Sequence, residues 1–463
     1  MAQFVLIGSG LAGGLLAAYL GRRGFDVDLY ERRADPREGN IVGGRSINLA
    51  ISTRGIHALE QLGMADEALH RAIPMRGRMI HPAGAGARTI FSPYDVDPKN
   101  CINSIGRDAL NTAVIEAAQR YPNVRVHFNH KCTDVDLDSA TAHLETSFVA
   151  AGSPRDEAVR MADASAANSE NQVISAQGDA VIGVDGAFSA VRQSMQMQIS
   201  GFEYDESYLA HGYKELTIPP GSDGSWQMEK HALHIWPRKS FMMIALPNPD
   251  GSFTCTLFWE FEGQRSFATT KTDEDVRRFF GEEFRDAVPL MPTLLEDFRQ
   301  NPTGSLVTIR CAPWYYRDKV CLVGDAARAV VPFYGQGMNA AFEDCTVLDE
   351  CLDQFADNRE RAFAEYFSRR KGNADALADL ALGNFIEMRD KTASKTFRAK
   401  KKLDHFLEAA LPGIYLPLYT MVTFTRIPYA EAARRARLQD RIVCASLIAI
   451  AAFLIWILVR FAA

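Results

Sequence analysis

The chain has 463 residues, 47% of them apolar, enough to bury one large core or two to three smaller ones. A formal net charge of -6, with no sustained basic tract before the C-terminal region, excludes an electrostatic surface for nucleic acid. Its 8 cysteines contain no C-x-x-C pair, which excludes a zinc or cluster site of that pattern and reads as free thiols in a reducing compartment.

The first segment, "QFVLIGSGLAGGLLAAYLGRRGFDVDLYERR", reads as a strand, a glycine loop, an amphipathic helix and a second strand ending on Glu31. No basic region precedes the apolar start, so no signal peptide is expected. Gly8, Gly10 and Gly13 form G-x-G-x-x-G. The first glycine permits a tight turn, the second lets backbone N–H groups approach a pyrophosphate, and the third lets helix and strand pack closely. The helix N-terminus adds partial positive charge. Glu31, at the tip of the second strand, is placed to accept from ribose hydroxyls, which suits the adenosine of FAD or NAD better than a 2′-phosphate. A dinucleotide site is expected here.

Further along, "GAGART" at Gly84 is flanked by neither strand nor helix, so it is no second fingerprint. Residues 150–172 are rich in Ala, Ser, Asn and Asp with little periodicity, and are expected to form an inserted loop at the tip of a hairpin. "DAVIGVDGAFSAVRQSM" is another apolar strand, ending in Asp185-Gly186 before a helix that carries Arg192. Alone, Asp-Gly reads as a turn. The segments "ALHIWP", "SFMMIALP" and "SFTCTLFWEF" alternate as antiparallel strands of a second sheet.

"CLVGDAARAVVPFYGQGMNAAFED" repeats the earlier device, a strand ending in Gly324-Asp325. Two distant strands that each end in an acid suit a ligand lying across the edge of one sheet. Asp325 is placed to accept from a ribityl chain, and the helix opening over 335–339 points N–H groups at the pyrimidine side of an isoalloxazine. Reduced flavin carries negative charge there and a helix dipole stabilises it; NAD has no such anion. FAD is therefore the expected cofactor. Gly335-x-Gly-x-x-Ala340 mimics a fingerprint, but Pro332 separates it from the strand, so no complete nicotinamide domain is expected.

The fold class is α/β: a Rossmann-like FAD domain of glutathione-reductase type, built from 1–75, 100–190 and 300–345, with an antiparallel-sheet substrate domain over 76–99 and 191–299. A helical region, 346–440, follows. Residues 442–459, "IVCASLIAIAAFLIWILV", carry no charge and show no polar face, as a transmembrane helix requires. Arg434, Arg435, Arg437 and Arg441 precede this stretch and only Arg460 follows, so the positive-inside rule leaves the large N-terminal body in the cytoplasm, anchored to the bilayer. Nothing in the composition sets an oligomeric state.

The three nucleotide elements, in this order, resemble the single-component flavoprotein aromatic hydroxylases. "GRSINLAIS", "MRGRMIH", "HGYKELTIPP", "LHIWPR", "VPFYGQGMN", "NFIEMR" and "PLYTMVTFTRIPYAEA" narrow the likeness to the kynurenine 3-monooxygenase family over essentially the whole chain. The resemblance implies that Arg78 pairs with the substrate's amino-acid carboxylate, helped by Tyr94, Asn384 and Tyr419, with Phe333, Tyr334 and Met388 beside the substrate. Arginine's planar fork suits a carboxylate, although Arg78 alone would read as a surface ion pair. It also implies that Ala12, Arg32, Arg33, Ala50, Arg107, Cys132, Gly337, Met338 and Asn339 join Gly8, Gly10, Gly13, Glu31, Asp185 and Asp325 around FAD. No metal and no protein nucleophile is implied. The implied reaction is reduction of FAD by NADPH, addition of O2 at flavin C4a, and oxygen transfer to L-kynurenine ortho to its amino group, giving 3-hydroxy-L-kynurenine.

Two positions depart from the family pattern. Tyr334 stands where many relatives carry His or Phe, which adds a hydroxyl near the substrate ring. Arg328 replaces the His that commonly follows "GDAA" and is expected to be a rim charge. Two other readings stay open: a membrane-anchored hydroxylase or epoxidase of another aromatic or quinone precursor, and a tethered flavoprotein scaffold without turnover.

Overall fold

The structure is a computed structural model, describing residues 2–38, 48–84, 86, 88–146, 172–391 and 394–462. The 44–47 part of "GRSINLAIS", two residues of "GAGART" and 150–171 of the expected hairpin loop lie outside the described residues. The strands flanking that loop, Thr141–Thr146 and Gln172–Gln177, pair antiparallel with Thr146 opposite Gln172.

A six-stranded sheet runs Tyr315–Tyr316, Val320–Leu322, Ala180–Gly183, Gln3–Ile7, Asp26–Tyr30 and Val124–His127, parallel except for its first strand. Its central strands are continuously apolar because both faces are covered: Val5, Leu6, Val181 and Ile182 are fully buried. The helices Leu11–Arg22 and Gly337–Gln354 contribute to the same core.

A seven-stranded sheet runs Gly304–Ala312, Glu203–Ile218, Phe253–Glu260, Met242–Pro247, Ala232–Pro237, Gly77–Ile80 and Ile90–Pro93. It includes the three strands expected from "ALHIWP" onward. Two segments depart from the expected boundaries. Gly304–Ala312, placed by sequence with the nucleotide sheet, instead pairs with Glu203–Ile218 from Ala312 opposite Glu203 to Gly304 opposite Tyr213. The helix Ala190–Gln198, assigned to the substrate domain from residue 191, buries Val191 and Met195 in the core of the six-stranded sheet. Alternation identifies a strand but not the sheet it joins, and here the 16-residue strand Glu203–Ile218 reaches past one partner to recruit a second.

Among the described residues, the chain after residue 337 is built of successive helices, with a π-helical turn at Glu387–Lys391. The last helix, Tyr429–Ala462, begins ahead of the apolar stretch. Tyr429 and Ala432 at its base are buried in the body, whereas Ile442, Leu447, Phe453 and Leu458 are exposed. This is one helix long and apolar enough to cross a bilayer, compatible with a membrane anchor.

Candidate active site

The parallel pairing of the six-stranded sheet lines up four loops at the carboxyl ends of neighbouring strands. Leu322 lies opposite Gly183, Gly183 opposite Ile7, and Ile7 opposite Tyr30. Asp325, Asp185, the Gly8 loop and Glu31 therefore follow one another along one edge, as a ligand extended across it requires. The Glu31 carboxylate accepts from the backbone N–H of Ser9 at 2.8 Å and of Arg33 at 3.0 Å, tying the glycine loop to the second strand. Arg32 and Arg33 are exposed beside it.

These residues fit a dinucleotide. The helix Leu11–Arg22 starts at Gly10 with no side-chain cap, leaving its first N–H groups available to an anion. Asp185 uses one oxygen to accept from Ala190 N–H at 2.7 Å, but its other oxygen is buried without a partner. Burial raises the Asp185 carboxyl above its usual range, and a hydroxyl donor at the orphaned oxygen would relieve that. Burial raises Asp325 likewise, against the pull of Arg328 and Arg107. Cys132 lies buried near Asp185, its thiol pushed up to about 12 by burial.

The three fingerprint glycines separate by what a side chain would meet. At Gly13 a Cβ would lie 1.9 Å from the Gly8 carbonyl oxygen, and at Gly8 2.7 Å from backbone atoms of Asp185 and Val184, so both are demanded by packing. At Gly10 a Cβ would meet nothing within 4 Å. Gly10→Ala is therefore expected to leave the apoprotein's melting temperature unchanged while weakening FAD at least about tenfold, and Gly13→Ala to impair folding itself. Thermal melts of apoprotein together with FAD titrations check this; unaltered FAD affinity in Gly10→Ala would refute it.

The segment over 332–339 closes the far end of this edge. Gly335 has φ +65°, and the helix Gly337–Gln354 that follows also lacks a side-chain cap. Asn339, fully buried, accepts from Ser52 N–H at 2.8 Å and donates to the carbonyls of Ala50 at 2.8 Å and Gly335 at 2.9 Å. It thus fixes this helix N-terminus against the strand Leu49–Ile51. Ala12 also contributes to the seam, its carbonyl accepting the Cys345 thiol at 3.5 Å. Gly337 and Met338 open the helix itself.

Beside this loop lies an apolar chamber on one face of the seven-stranded sheet. Leu233, Ile235, Met242 and Phe258 of the sheet pack with Phe333, Phe385 and Met388. The Phe333 and Phe385 rings stack at 4.2 Å. Arg78 projects into this apolar wall, only 8% exposed, its guanidinium 5.0 Å from the Tyr419 ring centroid and 5.7 Å from that of Tyr94. Tyr94, Tyr419 and Tyr334 form a ladder, with centroids 5.1 Å and 5.8 Å apart. Arg78 Nε and the Tyr94 hydroxyl are both buried without a hydrogen-bond partner. Asn384 is close by, but its amide donates to the Phe333 carbonyl at 2.6 Å and to Met388 Sδ at 3.4 Å, so it holds the loop in place. All seven substrate-side residues expected from the resemblance meet in this region.

The FAD binding domain family matches residues 1–381. "Kynurenine 3-monooxygenase" of Myxococcus xanthus is 46% identical over 438 residues, covering 95% of this chain and 89% of that protein. The protein of the same name from Dictyostelium discoideum is 43% identical over 441 residues, covering 93% and 89%. The chain belongs to the kynurenine 3-monooxygenase family. In overall fold it is similar to 2-methyl-3-hydroxypyridine-5-carboxylic acid oxygenase in its tetrameric form, with TM-score 0.64, 20% identity, and 89% and 96% of the two chains covered. It is likewise similar to tetracycline destructase Tet(51), with TM-score 0.61, 17% identity, and 92% and 100% covered.

Against the kynurenine 3-monooxygenase pattern, the Tyr334 departure sits in the chamber, its ring stacked in the tyrosine ladder. The Arg328 departure is no rim charge. It is 2% exposed and ion-paired to Asp344 at 2.7 Å, because the turn Gly324–Ala326 directs the following residue inward against the helix Gly337–Gln354. Sequence reasoning missed Glu387 and Lys401. Glu387 lies 3.8 Å from Arg78 and 3.6 Å from Lys401, so a carboxylate shares the chamber with two cations. The signal available was Glu387's place in "NFIEMR", one turn after Asn384; Lys401 had none.

Proposed function

We propose that the protein is an FAD-dependent monooxygenase that hydroxylates L-kynurenine to 3-hydroxy-L-kynurenine with NADPH and O2. The observation that carries the substrate reading is the pair of buried, unpartnered donors, Arg78 Nε and the Tyr94 hydroxyl, beside the apolar side chains of the chamber. A buried donor without an acceptor costs roughly 1–3 kcal/mol, and a bound carboxylate removes that cost at both positions. Arg78 grips the amino-acid end and Tyr94 donates to it, while the apolar wall of Leu233, Phe258 and Phe333 takes the aromatic ring. A neutral quinone precursor can accept a hydrogen bond but brings no negative charge to match the guanidinium fork.

FAD would be held by the Gly8 loop, Glu31, Asp185, Asp325 and the uncapped helix at Gly337, with Arg107 beside Asp325; when bound, it supplies reduction by NADPH and activation of O2. The protein's own tasks are to orient the ring and exclude water. The tyrosine ladder and the Phe333–Phe385 stack wall the chamber, and Asn384 holds the 332–339 loop against it. We further read 1–75 and 100–198 with 313–345 as the FAD-binding portion, and the seven-stranded sheet as the substrate portion. Residues 442–459 would anchor the body to a bilayer with the arginines at 434–441 on the cytoplasmic side.

The test is direct. The yellow purified protein, given L-kynurenine, NADPH and air, is expected to release 3-hydroxy-L-kynurenine with NADPH consumed in step. NADPH oxidation unchanged by L-kynurenine, or stimulated instead by a quinone precursor, would sink the assignment.

A further inference from the structure

On the face of the seven-stranded sheet opposite the chamber, two buried histidines and an exposed carboxylate, Asp286, form a polar chain that the reaction does not use. His81 Nδ1 lies 2.6 Å from an Asp286 carboxylate oxygen, and His81 Nε2 lies 2.9 Å from His234 Nδ1. His234 Nε2 in turn lies 2.9 Å from the Glu229 carbonyl oxygen. We propose that His81, held as an imidazolium between Asp286 and His234, is a positioning residue for Arg78 and locks the register of the strand that carries it.

Hydrogen-bond direction sets the protonation. A carbonyl only accepts, so His234 Nε2 carries the hydrogen and the neutral ring leaves Nδ1 as an acceptor. Burial pushes His234 down to about 4, which keeps it neutral. His81 Nε2 must then donate. Asp286, as a carboxylate, only accepts, so His81 Nδ1 must donate as well. Burial works against charge on Asp286, yet the His81 and Trp236 N–H groups hold its carboxyl below the usual range. The Trp236 indole donates to both Asp286 oxygens, at 3.1 and 3.0 Å, and its ring stacks on His81 at 4.0 Å. Arg238 donates to the His81 carbonyl at 2.9 Å and is itself 3.6 Å from the Glu283 carboxylate, and Glu229 acts on the adjoining His234.

Register is what this chain secures. Gly77–Ile80 is only 4 residues long, with Arg78 opposite Ser92 on one side and Leu233 on the other. Side chains alternate between faces, so a slip of one residue would turn Arg78 out of the chamber. Leu233 and Ile235 face the chamber, while Trp236 belongs to the core behind the sheet. His81 stacks on Trp236 and so grips the strand from behind, in addition to the bond from its own N–H to the Ile235 carbonyl at 2.8 Å. A charged, doubly hydrogen-bonded staple resists sliding more than a neutral one does.

This inference rests on the reading of Arg78 as the carboxylate clamp. In the full-length FAD-loaded protein, Asp286→Asn is expected to raise KM for L-kynurenine about tenfold while leaving kcat within about twofold. FAD affinity should not change, and Asp286→Glu should restore much of the loss. Nitrogen-15 spectra of the wild type with labelled histidine, assigned with His81→Gln, should show both His81 ring nitrogens protonated. A neutral His81 overturns the inference whatever the kinetics, as does a parallel fall in kcat, substrate affinity and FAD affinity. Wild-type KM in Asp286→Asn beside weakened binding in Arg78→Ala overturns this inference alone; wild-type binding in both variants removes the clamp reading too.

Discussion

Replacing Arg78 with alanine is expected to weaken L-kynurenine binding by about 100-fold, ~3 kcal/mol, the order of a charge-assisted hydrogen bond removed from a buried site. FAD should stay bound at full stoichiometry, because Arg78 belongs to the seven-stranded sheet and the fingerprint loop, Asp185 and Asp325 belong to the other. The effect should be large because Arg78 is 8% exposed and sits over two tyrosine rings, where water cannot take over its role. Arg78→Lys keeps the charge but loses the planar fork and is expected to fall between the two. Titration of the flavin absorbance with L-kynurenine in the absence of NADPH measures this. Wild-type affinity in Arg78→Ala would end the clamp assignment.

The second large effect concerns stability. Five buried ionic groups run in series behind the 332–339 loop. Arg328 pairs with Asp344 at 2.7 Å, Asp344 with Arg370 at 2.6 Å, Arg370 with Glu343 at 2.7 Å, and Glu343 with Arg54 at 3.1 Å. Arg54 continues to the carbonyls of Val422 and Ile427 and lies 4.0 Å over the Tyr429 ring. The series joins the helices Thr53–Glu60, Gly337–Gln354 and Arg359–Ile386 to the base of the last helix. Arg370→Leu removes the middle member and leaves Asp344, with no exposure, to a single cation. Breaking one partner out of a buried ionic set costs about 3–5 kcal/mol, because the remaining charge stays buried without compensation. A melting temperature lowered by several degrees is expected, with Arg370→Lys recovering part of it. A variant that melts with the wild type would show that the series contributes nothing to stability.

The loop edge of the six-stranded sheet was legible in the sequence because each element carries a local signature. Gly8, Gly10 and Gly13 state their turn by spacing, Glu31 follows its strand directly, and Asp185 and Asp325 each follow an apolar run. The strands of the second sheet were legible by alternation, but not the membership of Gly304–Ala312, because pairing is chosen by a distant partner. Arg78, Tyr94 and Tyr419, by contrast, carry no local sign of their meeting and were reached through resemblance to the family. Glu387 and Lys401 were missed for the same reason, since their meaning lies in what they face.

By itself, then, the amino-acid order determined backbone geometry and periodicity: where strands and helices run, where glycine is required, and that one late helix is apolar on every side. Tertiary structure alone decided which charges are buried and with whom. Arg328 shows the difference, because a guanidinium three residues after Asp325 was expected from the sequence to be a rim charge. It became an interior ion pair only when Asp344, on the following helix, was brought against it. Burial and electrostatic pairing depend on neighbours in space, and a linear pattern does not hold that information.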